Sequence, residues 1–86
     1  MEEVNYWEEM IAAKDDDNKS LWKMKLDEIN DYSTLTEGFD YLQDQMKDHA
    51  NKFFDKGTKV AGRRARNYAQ KIKDVVSRIR VVISEA

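Results

Sequence analysis

The chain has no cysteine and no proline, and it carries only three glycines and a single histidine. Without cysteine there is no disulfide scaffold, no thiolate metal site and no cysteine nucleophile, so the redox compartment is left open. Without proline, and with glycine scarce, helices are free to run long. No stretch of roughly 18 apolar residues occurs, so no segment reads as a membrane-spanning helix. The opening Met1-Glu2-Glu3 is acidic where a secretory signal would be basic. His49 beside Asp48 makes neither a metal site nor a catalytic pair, and Asp44 and Asp48 share a helix face without convergent partners. No enzymatic chemistry, metal or cofactor is therefore expected. A chain of 86 residues buries only about 60–65% of its unfolded surface, too little for a deep cleft. These absences point to one soluble, intracellular helical domain spanning residues 1–86.

What is abundant is charge: 37% of the residues are Asp, Glu, Lys or Arg, against 41% hydrophobic. The net charge of −2 conceals a split. Residues 1–55 hold 15 acids and 6 bases, a balance of −9, whereas residues 56–86 hold 2 acids and 9 bases, a balance of +7. Such asymmetry implies a polyanion partner for the basic half, or one half docking on the other.

Apolar spacing divides the chain into four helices. Val4, Trp7 and Ile11 form a stripe in a first helix over Glu2 to Lys14, with Glu2 and Glu3 at the positive end of its dipole. Asp15-Asp16-Asp17-Asn18 interrupts it. Counted from Asp15, the glycine and glutamate positions of a calcium loop hold Ser20 and Leu26, which excludes that site. A second helix of about ten residues shows Trp22, Leu26 and Ile29 on one face and stops near Asn30-Asp31. Thr34-Leu35-Thr36-Glu37 has capping-box spacing, placing the start of a third helix at Leu35. Leu35, Phe39, Leu42, Met46, His49 and Phe53 then form a heptad seam that runs to about Lys56. Gly57 stops that helix and Thr58 is placed to cap the next. An antiparallel hairpin follows from so short a connection; a kinked continuous helix is its rival. In the fourth helix Thr58, Ala61, Ala65, Tyr68, Ile72, Val75, Ile79, Val82 and Ala86 alternate spacings of three and four, and Gly62, Ala69, Val76 and Ile83 widen the face. Val75 to Ile83 also alternates tolerably as a strand, but the unbroken phase favours helix.

On that fourth helix the bases form two stripes of heptad period: Lys59, Arg66, Lys73 and Arg80 on one side, and Arg64, Lys71 and Arg78 on the other. Each repeats about every 10.5 Å. Between them the outward line reads Arg63, Gln70, Ser77 and Ser84. A solvated helix face is the plain alternative. Against it, only Asp74 lies between Lys56 and Arg80, so ion pairs along the helix are scarce. Lys59, Arg63 and Arg64 also crowd the first two turns, where the dipole disfavours cations. Together with Lys56 and the free N–H groups of the first turn they form an anion-binding corner. Basic rails with a small-residue floor suit a phosphate backbone. Asn67 and Gln70 alone do not make a base-reading set. Tyr6, Trp7, Trp22, Phe39, Tyr41, Phe53, Phe54 and Tyr68 mostly take apolar phases and read as core or hairpin contacts, not as platforms for single strands.

The stretch from Lys52 to Arg66, Lys-Phe-Phe-Asp-Lys-Gly-Thr-Lys-Val-Ala-Gly-Arg-Arg-Ala-Arg, resembles the chlamydial linker-histone-like family of small bacterial chromatin proteins. The family pattern is an aromatic, two variable residues, then Lys-Gly-[Asn/Thr]-Lys-x-Ala-Gly-x-Arg-x-Arg and an amphipathic helix ending near an Ile-Arg step. It falls here on Phe53, Lys56, Gly57, Thr58, Lys59, Ala61, Gly62, Arg64 and Arg66, with Ile79-Arg80 downstream. The likeness covers residues 52–80. It implies a nucleoid-associated, cytoplasmic protein that binds DNA without sequence preference through the basic helix. The long Lys-rich tail of the best-known members has no counterpart in these residues, and residues 1–30 match nothing in the family.

The expected fold is all-α: a long antiparallel helical hairpin over residues 34–86, with two short acidic helices over residues 1–31 covering it. The wide seam suggests self-association into a dimeric helical bundle. The expected ligand is the phosphate backbone of double-stranded DNA or RNA. It would be held by Lys56, Lys59, Arg63, Arg64, Arg66, Lys71, Lys73, Arg78 and Arg80. The alternative is a structural or assembly subunit whose basic helix docks on an acidic protein partner.

Overall fold

Side-chain caps start two of the four helices in the computed structural model, which describes residues 5–86. The first helix, α1 (Tyr6–Ala12), starts where Asn5 Oδ1 accepts the backbone N–H groups of Trp7 and Glu8 at 2.9 and 3.0 Å. It is shorter than the sequence implied. Lys14 lies outside it, in an isolated antiparallel bridge with Ser20, and Glu2, Glu3 and Val4 lie outside the described residues. The acidic run after it is a turn held by its own carboxylate: Asp15 Oδ1 accepts from the N–H of Asp17 and Lys19, both at 2.9 Å. The next helix, α2 (Trp22–Asp27), has six residues and not ten. It closes early because the N–H groups of Glu28 and Ile29 bond back three residues, to Lys25 and Leu26.

The third helix, α3 (Tyr32–Lys56), begins three residues before the expected Leu35. Asp31 caps it, with Oδ2 accepting the Thr34 N–H at 3.0 Å and the Thr34 hydroxyl at 2.7 Å. These two bonds hold the Asp31 carboxyl below its usual range. The Thr34 hydroxyl is thereby engaged with Asp31, so Thr34 is not the cap residue and the Thr34–Glu37 box does not form. A charged acceptor at the positive end of the dipole outcompetes a neutral one. At the other end Gly57 takes φ 67, and its N–H bonds the Phe53 carbonyl at 2.8 Å. Only glycine holds that left-handed turn without steric cost. The last helix, α4 (Lys59–Glu85), runs unbroken through Val75–Ile83, which removes the strand reading. Thr58 does occupy its N-cap position, but its side chain makes no cap bond. Two residues separate α3 and α4, which pack on each other as a hairpin. Among the described residues there is no strand.

Trp7 and Met10 of α1, Trp22 and Leu26 of α2, Ile29, Leu35 and Leu42 of α3, and Val75 of α4 form one buried cluster. Trp7 lies directly on the α3 backbone at Gly38, where a Cβ would run into its indole ring. Its ring meets Trp22 edge-on, with centroids 6.1 Å apart. Phe39, Tyr41, Tyr68, Ile72, Ile79 and Val82 pack against this cluster half-buried. The cover formed by α1 and α2 therefore sits over the open end and middle of the hairpin and leaves its turn end bare. Every residue from Asn51 to Val60 is exposed. Phe53, 38% exposed, keeps its expected hairpin contact, its ring lying on α4 at Gly62, whereas Phe54, 79% exposed, departs from the expectation of a core or hairpin contact. Tyr6, Val76 and Ile83 are exposed as well.

Candidate nucleic-acid interface

The two basic stripes of α4 have different fates. Lys59, Arg66, Lys73 and Arg80 are all exposed, as are Lys56, Arg63 and Arg64 at the turn end. The outward line of Gln70, Ser77 and Ser84 is open too. Lys71 and Arg78 depart from the expectation of free bases, because α2 and the segment after it lie on their side of the helix. The Lys71 ammonium sits 5.7 Å from the centroid of the Trp22 ring. Arg78 donates from Nε to the Ile29 carbonyl at 3.0 Å and from its guanidinium to Asn30 Oδ1 at 2.6 Å. That guanidinium ties the segment after α2 to α4, a structural role.

Carboxylates do not neutralise the open rail. Among the described residues the ion pairs are Lys23–Asp74 at 3.9 Å and Lys52–Asp48 at 3.2 Å, and neither involves a base of α4. Asp74, the acid nearest these bases in sequence, accepts the Trp22 indole N–H at 2.9 Å and faces the cover. Lys59 to Arg80 spans about 31 Å along the helix axis, with four cations on one line. At the turn end the uncapped N–H groups of the first turn of α4 lie beside Lys56, Lys59, Arg63 and Arg64. The same end holds an open groove of about 520 Å³, walled by Phe53 and Phe54, floored at Gly62 and rimmed by Lys59, Arg63 and Arg66.

A carboxylate in the cover ties the hairpin together. Glu8 of α1 accepts the Tyr41 hydroxyl at 2.7 Å and the Tyr68 hydroxyl at 2.7 Å, joining α3 to α4. His49 stacks on Tyr68 with ring centroids 5.5 Å apart, a packed and partly exposed position. Burial, then the hydrogen bond to Glu8 and its charge, push the Tyr68 phenol up to about 12, and the same causes lift Tyr41 further. The unfolded phenol titrates near 10.0, so between that pH and about 12 the folded chain holds protons the unfolded chain has lost. Stability from this clasp is complete below pH 10 and falls as pH rises toward 12. Melting temperature followed by circular dichroism should drop over that window, and the drop should weaken in Glu8→Gln. A melting temperature that holds steady across it contradicts the clasp. Periodicity gave no sign of this contact, since its partners lie 33 and 60 residues apart.

Residues 33–86, the whole hairpin save its first residue, match the family model described as Histone H1-like protein Hc1. The chain belongs to this histone-like family. The match takes in every base of α4 and extends well beyond residues 52–80, where the motif is visible by eye. Histone H1-like proteins are of a DNA-packaging, non-enzymatic kind. The cover, with Trp7, Glu8 and Trp22, lies outside the matched residues. No curated protein and no solved structure matches the chain. Among the described residues no helix is long and apolar enough to cross a membrane.

Proposed function

We infer that this protein is a non-enzymatic, nucleoid-associated histone-like protein of the cytoplasm. It binds double-stranded nucleic acid through phosphates and without sequence preference. The observation that carries the reading is the rail of Lys59, Arg66, Lys73 and Arg80, exposed and without carboxylate partners, on the helix that the histone-like match covers. Lys56, Arg63 and Arg64 extend it at the turn end, where uncapped N–H groups add partial positive charge. Lys71 and Arg78 keep their charge, but their side chains are engaged on the covered side of the helix, over the Trp22 ring and against Ile29 and Asn30. Arg, Asn and Gln are not gathered into a set aimed at base edges, so affinity rests on charge and not on base contacts. The exposed Val76 and Ile83 beside the seam support self-association of the hairpin into a bundle.

Docking of the basic helix on an acidic protein partner is the second reading, favoured by the way Arg78 already docks on Ile29 and Asn30. Titration of mixed-sequence duplex DNA into two single variants separates the readings. Arg80→Gln should weaken duplex binding several-fold and reduce the salt slope by about one. Arg78→Gln should leave affinity nearly unchanged and cost about 1 kcal/mol of stability, read as a lower melting temperature. If neither variant alters duplex affinity, the assembly reading gains and the phosphate reading falls.

A further inference from the structure

Phe54 is the most exposed large hydrophobic side chain at the turn end, at 79%, and phosphate binding has no use for it. Burying a phenylalanine stabilises a fold, yet no element covers this one. Phe53 meets it edge-on with ring centroids 5.1 Å apart at 74°, and most of the Phe54 ring is left open. The two rings wall the groove of about 520 Å³ whose rim is Lys59, Arg63 and Arg66. That volume lies in the range of small-ligand sites, about 300–1,000 Å³. Asp55 is the sole acid from residue 52 to residue 66, against six bases, and Asp48 just before is paired to Lys52. A flat apolar wall edged by cations is complementary to a ligand that is flat, aromatic and anionic.

We propose that this groove seats an unpaired nucleobase stacked on Phe54, with its flanking phosphates on Lys59, Arg63 and Arg66. The proposal rests on the nucleic-acid reading of α4 and adds a second mode to it. A base within a duplex has both faces covered by its neighbours, so a single open ring competes only for bases whose faces are free. The rail takes duplex; the tip takes single-stranded or locally opened strands. Stacking tolerates any base, which agrees with binding that reads no sequence.

The test is fluorescence-anisotropy titration of the full chain with two probes, a labelled short oligothymidylate and a blunt, fully paired duplex of the same length. Wild type is compared with Phe54→Ala and Phe54→Tyr, and circular dichroism melting confirms that all three fold. Phe54→Ala should bind oligothymidylate about tenfold more weakly and the duplex within about twofold of wild type, by the known worth of one base–aromatic stack. Phe54→Tyr should keep wild-type affinity for both. No selective loss on oligothymidylate overturns the proposal while leaving the phosphate reading intact. So does a change in oligomeric state of Phe54→Ala with both affinities unmoved, which would mean that a second copy fills the groove. If wild type binds neither probe, the phosphate reading falls and this one falls with it.

Discussion

Reversing Arg64 and Arg66 to glutamate should weaken binding of mixed-sequence duplex DNA by on the order of 10²-fold or more at about 0.1 M salt, and leave helix content unchanged. Both side chains are exposed, and neither is in an ion pair among the described residues. Their removal therefore leaves no buried group unpaired. Each neutralised phosphate is worth roughly 0.9 log units in affinity per tenfold change in salt. Reversal turns two such attractions into repulsions. Arg66 lies on the open rail and at the rim of the turn-end groove, whereas Arg64 flanks Tyr68 on the other side of the helix. The double variant thus strips charge from both sides of the turn end. Electrophoretic mobility shift and anisotropy should agree on the weakening, with far-UV circular dichroism as the control. Wild-type affinity in this variant would move the interface elsewhere.

Replacing Trp22 by alanine should cost about 3–5 kcal/mol. For a chain of this length total stability is roughly 4–13 kcal/mol, so the variant loses a large part of its fold. Trp22 is 2% exposed and stands where α1, α2 and α4 meet. Its indole packs on Trp7, its N–H bonds Asp74, and its face lies beneath the Lys71 ammonium. Truncation opens a cavity and leaves the half-buried Asp74 carboxylate with only Lys23 at 3.9 Å. Thermal melting should shift down by roughly 15–30 °C. A shift of only a few degrees would mean that the hairpin holds its structure without its cover. The residues concerned lie outside the histone-like match, so the result also bears on whether residues 5–31 and the hairpin form one domain, as we propose.

The hairpin was legible because its determinants are local. The three-and-four spacing from Ala61 to Val82 holds a single phase through most of a 27-residue helix, and Gly57 marks the turn by the conformation that only glycine takes cheaply. Helix ends were less legible where two caps overlap. Asp31 and Thr34 each precede a plausible first turn, and spacing alone does not say that one carboxylate will take both the N–H and the hydroxyl of Thr34. The short helices were overestimated because an apolar stripe continues past the point where turn bonds end the helix, as at Ile29. The basic rail was visible as a heptad stripe, but its asymmetry was not. Which stripe is covered depends on where α2 lies, and that is fixed by contacts such as Trp22–Asp74 across 52 residues. The same long-range fact exposes Phe53 and Phe54. Helical phase puts Phe53 in the seam and Phe54 about 100° round from it; it does not say how far along the hairpin the cover extends.

Binding by the exposed cations of α4 is driven, in the reading proposed above, by counterion release from a phosphate backbone. Its most direct measurement is the affinity of the full chain for mixed-sequence duplex DNA across a series of salt concentrations. With four to six phosphates contacted, log affinity should fall linearly against log salt with a slope of roughly −4 to −5, equal for duplexes of unrelated sequence. A slope near zero, or affinity that persists for one sequence and vanishes for another, would contradict it.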